Sequence, residues 1–290
     1  MPAAQPILEA KAQLGEGARW HGGEQRLYWV DIGRNELHRF DPAPGQDECR
    51  SFASPVTSFA FCNDGGMVLA MADGFALLKE WAAEPEPIGP RFLAGTGLRL
   101  NDGRADTAGR FWAGSYDAGK TGKAALYRLD SDGSVTEIEG GMMTSNGHCF
   151  SPDGTRFLHS DTASHAVSVY DCDAEAGTLS NKRILHQFPF GQGRPDGGSL
   201  DAQGCYWVAL YDGGRVVRLS SEGEILAEVA LPVTRPTMIA LGGPDLKTAY
   251  VTSVRAGLSD QELNRQPLAG AIFAFPVDIP GIAEAEYLLR

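Results

Sequence analysis

The chain lacks any long apolar run: no stretch approaches the ~18 consecutive apolar residues of a membrane-spanning helix, so no transmembrane segment and no membrane partner are expected. It is also short of basic residues, with 25 Lys and Arg against 37 Asp and Glu and a formal net charge of -12. That balance argues against nucleic acid as a partner, which needs a basic face. Cysteine is scarce and unpaired in pattern: there are five, none in a CxxC motif. Several lie in apolar strands, where a free thiol behaves as a small hydrophobe, so a reduced chain without disulfides is expected. Residues 1–13 have no basic stretch leading into an apolar core. No secretory signal is therefore expected, and the reading is a cytoplasmic protein. Also missing are the G-x-S-x-G elbow, the H-E-x-x-H helix and the G-x-x-x-x-G-K-[ST] loop, which removes three common hydrolase and nucleotide chemistries.

What the chain has in excess is glycine. The 36 glycines are well above the usual ~7%, and 17 prolines accompany them. Many turns and short strands follow from that composition. One stretch sets the pattern: Arg194-Pro195-Asp196-Gly197-Gly198-Ser199-Leu200-Asp201, then a turn at Gly204 and the strand Tyr206-Trp207-Val208-Ala209. Similar units begin at Glu16, Ser58, Asn101, Asn146 and Thr237, giving six with Asp196. They recur at steps of about 40–50 residues, the length of a four-stranded propeller blade. Short alternating strands separated by Asp-Gly and Gly-Gly turns fill each unit, as antiparallel meanders require. The expected fold is all-β, a six-bladed β-propeller with four antiparallel strands per blade, forming one domain over residues 1–290. Ring closure needs a strand from one terminus, and both Ile7–Ala12 and Glu284–Leu289 are suitable.

In a propeller the innermost strands line the central channel, so equivalent positions of successive units form a ring. Here that ring reads Glu16, Ser58, Asn101, Asn146, Asp196 and Thr237, six oxygen-bearing side chains. Any one Asn or Asp could simply make a turn. Their coincidence in register instead points to one site with two carboxylates and amides, donors that suit a hard divalent cation. Without a cation, two buried carboxylates would repel and be costly to desolvate.

These residues carry a family resemblance. Leu14-Gly15-Glu16-Gly17, Leu100-Asn101-Asp102-Gly103, Ser145-Asn146-Gly147, Pro195-Asp196-Gly197 and Arg265-Gln266-Pro267-Leu268-Ala269-Gly270 occur in the order found in the SMP-30/gluconolactonase/luciferin-regenerating-enzyme family. That family consists of six-bladed propellers and includes regucalcin and bacterial aldonolactonases. The resemblance implies a single metal held by Glu16, Asn146 and Asp196, with substrate contacts from Arg99 and Asn101. Longer family members carry an acidic substrate contact after the third unit's aromatic strand; this chain is shorter there, and Asp117 is the nearest acid. The residue after Ser-Asn-Gly is His148 where an apolar one is usual, and it reads as a hydrogen-bonded core histidine.

The implied activity is metal-dependent hydrolysis of a sugar lactone, pentono- or hexono-, to its aldonic acid. Asp196 is the best-placed general base, and Arg99, Asn101 and Asp117 would hold the sugar hydroxyls. The cofactor is one divalent ion, with Fe2+, Mn2+, Mg2+, Zn2+ and Ca2+ all compatible with oxygen ligands. The partner is a small-molecule lactone and the expected state is a monomer. Two alternatives share the same site: a non-catalytic calcium-binding propeller, and a phosphotriester or other ester hydrolase.

Overall fold

The computed structural model describes residues 3–289, and they form six four-stranded antiparallel sheets arranged as a six-bladed β-propeller. The inner strands are Gly15–His21, Val56–Phe61, Arg99–Ala105, Ser145–Phe150, Arg194–Leu200 and Pro236–Gly242. In blades one to five the strands follow chain order from inner to outer edge. Blade six is completed by Gln5–Leu8, which pairs antiparallel with Ile272–Pro276. The amino-terminal segment therefore closes the ring, starting two residues earlier than the Ile7–Ala12 expected. Helix is confined to a single turn at Thr162–Ser164 and to Asp260–Arg265, which Ser259 and Glu262 cap reciprocally.

The carboxy-terminal segment takes another role. Tyr287 is fully buried, its amide donates to the Phe61 carbonyl (2.7 Å) and its hydroxyl donates to the Asp130 carbonyl (2.9 Å). The tail thus lies under blades two and three, across the channel end opposite the ring residues. Glu284, on the same tail, reaches into the channel to Arg19 and Arg104.

Every inner strand carries a break in its pairing register directly at its ring residue: Glu16/Arg19, Val56/Ser58, Leu100/Gly103, Asn146/Cys149, Pro195/Gly198 and Pro236/Ile239. Such bulges insert extra residues, bend the strand and re-aim a side chain. They explain the glycine after so many ring residues. Gly17 and Gly147 have φ of 59° and 64°, a left-handed conformation that glycine adopts without the usual steric penalty. A Cβ on Gly147 or Gly198 would also collide with the Tyr206 hydroxyl. The repeated turn has its own cause. Asp106 accepts hydrogen bonds from the amides of Ala108 and Arg110 and from the Trp112 indole; Asp201 does the same for Gln203, Cys205 and Trp207. Trp112 and Trp207 then sit in the apolar layers between blades, where burial of such side chains contributes ~1.5–3 kcal/mol or more each.

Candidate active site

The bulges turn four of the six ring side chains into one cavity of about 190 Å3, lined by Glu16, Asn101, Asn146 and Asp196 at its floor. Ser58 and Thr237 are not part of it. Thr237 is fully buried and hydrogen-bonded to the Gly15 carbonyl and Thr252, while the buried Ser58 hydroxyl has no partner among the described residues. The ring of six is thus an arc of four polar side chains facing the cavity, set on blades one, three, four and five.

The floor is tightly connected. Asn146 Nδ2 donates to Thr162 Oγ1 (2.8 Å) and to Asp196 Oδ1 (2.6 Å), while its Oδ1 accepts from Asn101 Nδ2. Arg99 donates to Asn101 Oδ1 at 2.8 Å, and its guanidinium lies 4.7 Å over the Tyr116 ring. Neither Glu16 nor Asp196 forms an ion pair within 4.0 Å among the described residues, and the hydrogen bond to Glu16 comes from the neighbouring Gly17 amide at 3.3 Å. Asp196 is only 4% exposed, and Glu16 touches the open cavity while protein packs around the rest of it. Burial, followed by the charge of Asp102, pushes Glu16 up to about 8. Burial, followed by Glu16 and Asp102, raises Asp196 well above the carboxylate range. Arg99 is lowered by burial, against the pull of Glu16, Tyr116 and Asp196.

Two carboxylates without an ion-pair partner among the described residues, beside the Asn146 amide, form a donor set that fits one divalent cation once that amide turns its oxygen, here accepting from Asn101, toward Asp196. Among the described residues no three His, Cys, Asp or Glu side chains cluster as a metal group. The Asn146 amide is what would complete this set.

Asp117 is placed differently from the expectation that it holds substrate. It does not line the cavity; its carboxylate accepts from the amides of Gly119, Thr121 and Lys123 and from the Thr121 hydroxyl. Those bonds fix a short loop whose Lys120 does line the cavity. The sequence reading also passed over Arg194 and Tyr211. Arg194 stands two residues before Asp196 as Arg99 stands two before Asn101, and each pairs across the strands with a tyrosine, Arg99 with Tyr116 and Arg194 with Tyr211. The repeat itself carried that signal.

Below the floor lies a second buried layer. Arg19 contacts Asp102 at 3.4 Å and the Gly103 carbonyl at 2.7 Å, and Glu284 lies 3.7 Å from Arg19 and 3.2 Å from Arg104. His148 is here, fully buried, with Nε2 3.0 Å from the Ser145 hydroxyl, in keeping with a hydrogen-bonded core histidine. Burial pushes its imidazole down to about 4, with Asp102 opposing and Arg19 and Arg104 assisting. Burial works against charge on Asp102, yet its value lies below normal because His148, Arg19 and Arg104 favour the anion. The amides of Gly103 and His148 donate to the same carboxylate at 2.8 and 3.3 Å and favour its charged form alongside the arginines.

A six-bladed propeller with an oxygen-lined pocket at one channel mouth is the class that fold and site define. Within it, the family model described as SMP-30/Gluconolactonase/LRE-like region matches residues 14–255, and the chain belongs to that family. It is 40% identical over 280 residues, 96% of each chain, to 6-deoxy-6-sulfogluconolactonase of Pseudomonas putida. It is 34% identical to a pentonolactonase of Haloferax volcanii, again with 96% of each chain covered. Among solved structures it is similar to regucalcin of Agrobacterium tumefaciens, described as a calcium-binding protein. That match has a TM-score of 0.93 and 27% identity over 98% of this chain and 97% of the other.

Proposed function

We propose that the protein is a metal-dependent sugar lactonase that hydrolyses the cyclic ester of an aldonic acid. The observation carrying this reading is the floor of the cavity, where two carboxylates without an ion pair among the described residues, the buried Asp196 and the half-buried Glu16, and an amide adjoin a guanidinium and a second amide. Similarity to two named sugar lactonases over almost the whole chain supports the same reading. Glu16, Asn146 and Asp196 would hold the ion, which when bound supplies a Lewis acid for the lactone carbonyl and the negative charge that develops on its oxygen.

The protein's own groups account for the rest. Asp196, a carboxylate at the cavity floor that the ion would keep ionised, is the group placed to take a proton from the attacking water. Water oxygen bonds to the carbonyl carbon, the ring carbon–oxygen bond breaks, and the leaving alkoxide takes up a proton to become the free hydroxyl. Arg99 and Asn101 hold sugar hydroxyls. Arg99 is prepared for this by its stacking on Tyr116 and its bond to Asn101, so little side-chain freedom is lost on binding. An unpaired polar group in such a pocket would cost ~1–3 kcal/mol, which makes the pair selective for a hydroxylated ring.

The experiment is to purify the protein without chelator, measure its metal, and assay a panel of lactones before and after stripping and reconstitution. One ion per chain and turnover that disappears with it are expected. Arg99→Ala should keep the ion and lose ~10- to 100-fold in kcat/KM on polyhydroxylated lactones, less on a plain lactone. Metal binding with no turnover beyond that of the free ion would favour a calcium-binding propeller instead, and indifference to the sugar hydroxyls would favour another ester hydrolase.

A further inference from the structure

The mouth of the cavity is basic in a chain of net charge -12. Lys120 and Arg194 line it above the floor. Lys120 is exposed, forms no ion pair within 4.0 Å among the described residues, and has a φ of 50° in the loop that Asp117 pins. Arg194 is 26% exposed and lies 4.8 Å over the Tyr211 ring. Its counterion Asp212 is shared, because Arg235 donates to the other carboxylate oxygen at 2.8 Å and lies 5.4 Å over the same ring. Two guanidiniums on one carboxylate leave a positive charge unanswered there, and Lys120 adds a second.

We propose that Lys120 and Arg194 form a subsite for an anionic group carried on the exocyclic end of the lactone. This rests on the lactonase reading and adds a substrate class to it. Among the described residues neither Glu16 nor Asp196 forms an ion pair with Lys120 or Arg194. Arg194 is the counterpart of Arg99 in the repeat: the same strand position, the same tyrosine beneath, but a place two blades further round. A guanidinium and an ammonium at a partly enclosed mouth suit a sulfonate or phosphate, which each offer three acceptor oxygens. A neutral hydroxymethyl group would leave Lys120 without a partner and Arg194 with only its shared Asp212.

The test compares kcat/KM for glucono-1,5-lactone with that for its 6-phosphate and 6-deoxy-6-sulfo counterparts, on the metal-loaded protein and on Lys120→Glu and Lys120→Arg. In the parent, one or both anionic lactones should exceed the neutral one by ~10-fold or more, an advantage that shrinks as salt is raised. Lys120→Glu should lower the anionic-to-neutral ratio by at least ~10-fold, and Lys120→Arg should retain it. The same variants are titrated by calorimetry with gluconate and 6-phosphogluconate, a readout independent of turnover. If no lactone is hydrolysed but 6-phosphogluconate binds more tightly and loses that advantage in Lys120→Glu, the lactonase reading fails and the subsite stands. Equal preference for neutral and anionic ligands in the parent, or a ratio untouched by Lys120→Glu, overturns the subsite.

Discussion

The mouth and the lower layer of the channel are built by the same inner strands, one to three residues apart, and they treat buried charge in opposite ways. At the mouth Glu16 and Asp196 lie without an ion-pair partner and are pushed toward their protonated forms. One layer down, Asp102 is held charged by Arg19, and Glu284 from the tail answers both Arg19 and Arg104. Charge paired within the chain supports the fold. Charge left unpaired is what the proposed cation would answer. Each end should therefore fail in its own way when altered.

The largest effect is expected at the mouth. Asp196→Ala should reduce kcat/KM by ~10^3-fold or more, because it removes a metal ligand and the proposed base together. Bound metal should fall well below one per chain while the circular-dichroism spectrum and melting remain those of the metal-free parent. Retention of stoichiometric metal would break the contrast, since Asp196 would then be another structural charge.

Arg19→Met probes the lower layer. It leaves Asp102 without its nearest cation in a site where Arg19 is 2% exposed, and breaking such a buried pair costs about 3–5 kcal/mol. The denaturation midpoint should fall accordingly, while folded protein still takes up one ion per chain. Loss of metal at unchanged stability would reverse the assignment of the two layers.

The two ends should also respond to opposite ends of the pH scale. Glu16 sits at about 8 in the metal-free fold against ~4.3 when unfolded. A raised carboxyl contributes stability that is present below its unfolded value and is lost as pH rises through the folded one. Asp196 has the same sign. Metal-stripped protein should thus melt at lower temperature as pH goes from 6 to 9, and a saturating divalent ion should remove that decline. Asp102, depressed by its neighbours, contributes stability above ~4 that is lost only as pH falls further. A metal-free form whose melting temperature is flat or rising between pH 6 and 9 would count against the unpaired carboxylates.

How much of this was legible in the sequence follows the range of the interactions. The blades could be read because each is local: strands of alternating pattern between tight turns, with an aspartate turn and a tryptophan hydrogen-bonded to it in blades three and five. Glu16, Asn101, Asn146 and Asp196 could be read because the repeat places them in register, and the bulges then aim them into one cavity. The tail was ambiguous because its partners, Arg19 and Arg104, are remote in the chain and no local pattern ties them to Glu284. Asp117 was misjudged because an acid near a pocket and an acid closing a loop look alike in sequence; only the amides gathered on its carboxylate separate them.

The smallest effect is expected at Ser58, and it sharpens the contrast most. Register alone assigns Ser58 to the same ring as Glu16 and Asp196, yet it lies outside the cavity with a buried hydroxyl that has no partner among the described residues. A buried hydroxyl without a hydrogen bond adds nothing to stability, so replacing it by hydrogen removes a desolvated polar atom and leaves at most a small void. Ser58→Ala should therefore change stability by less than ~1 kcal/mol in either direction, with metal content intact and kcat/KM within ~3-fold of the parent. Thr237, whose hydroxyl bridges the Gly15 carbonyl and Thr252, provides the control: Thr237→Val should cost stability, by about 1–3 kcal/mol, because partners are left unsatisfied. A loss of activity of tenfold or more in Ser58→Ala at unchanged stability would mean that position in the repeat, and not partnering, decides which side chains act.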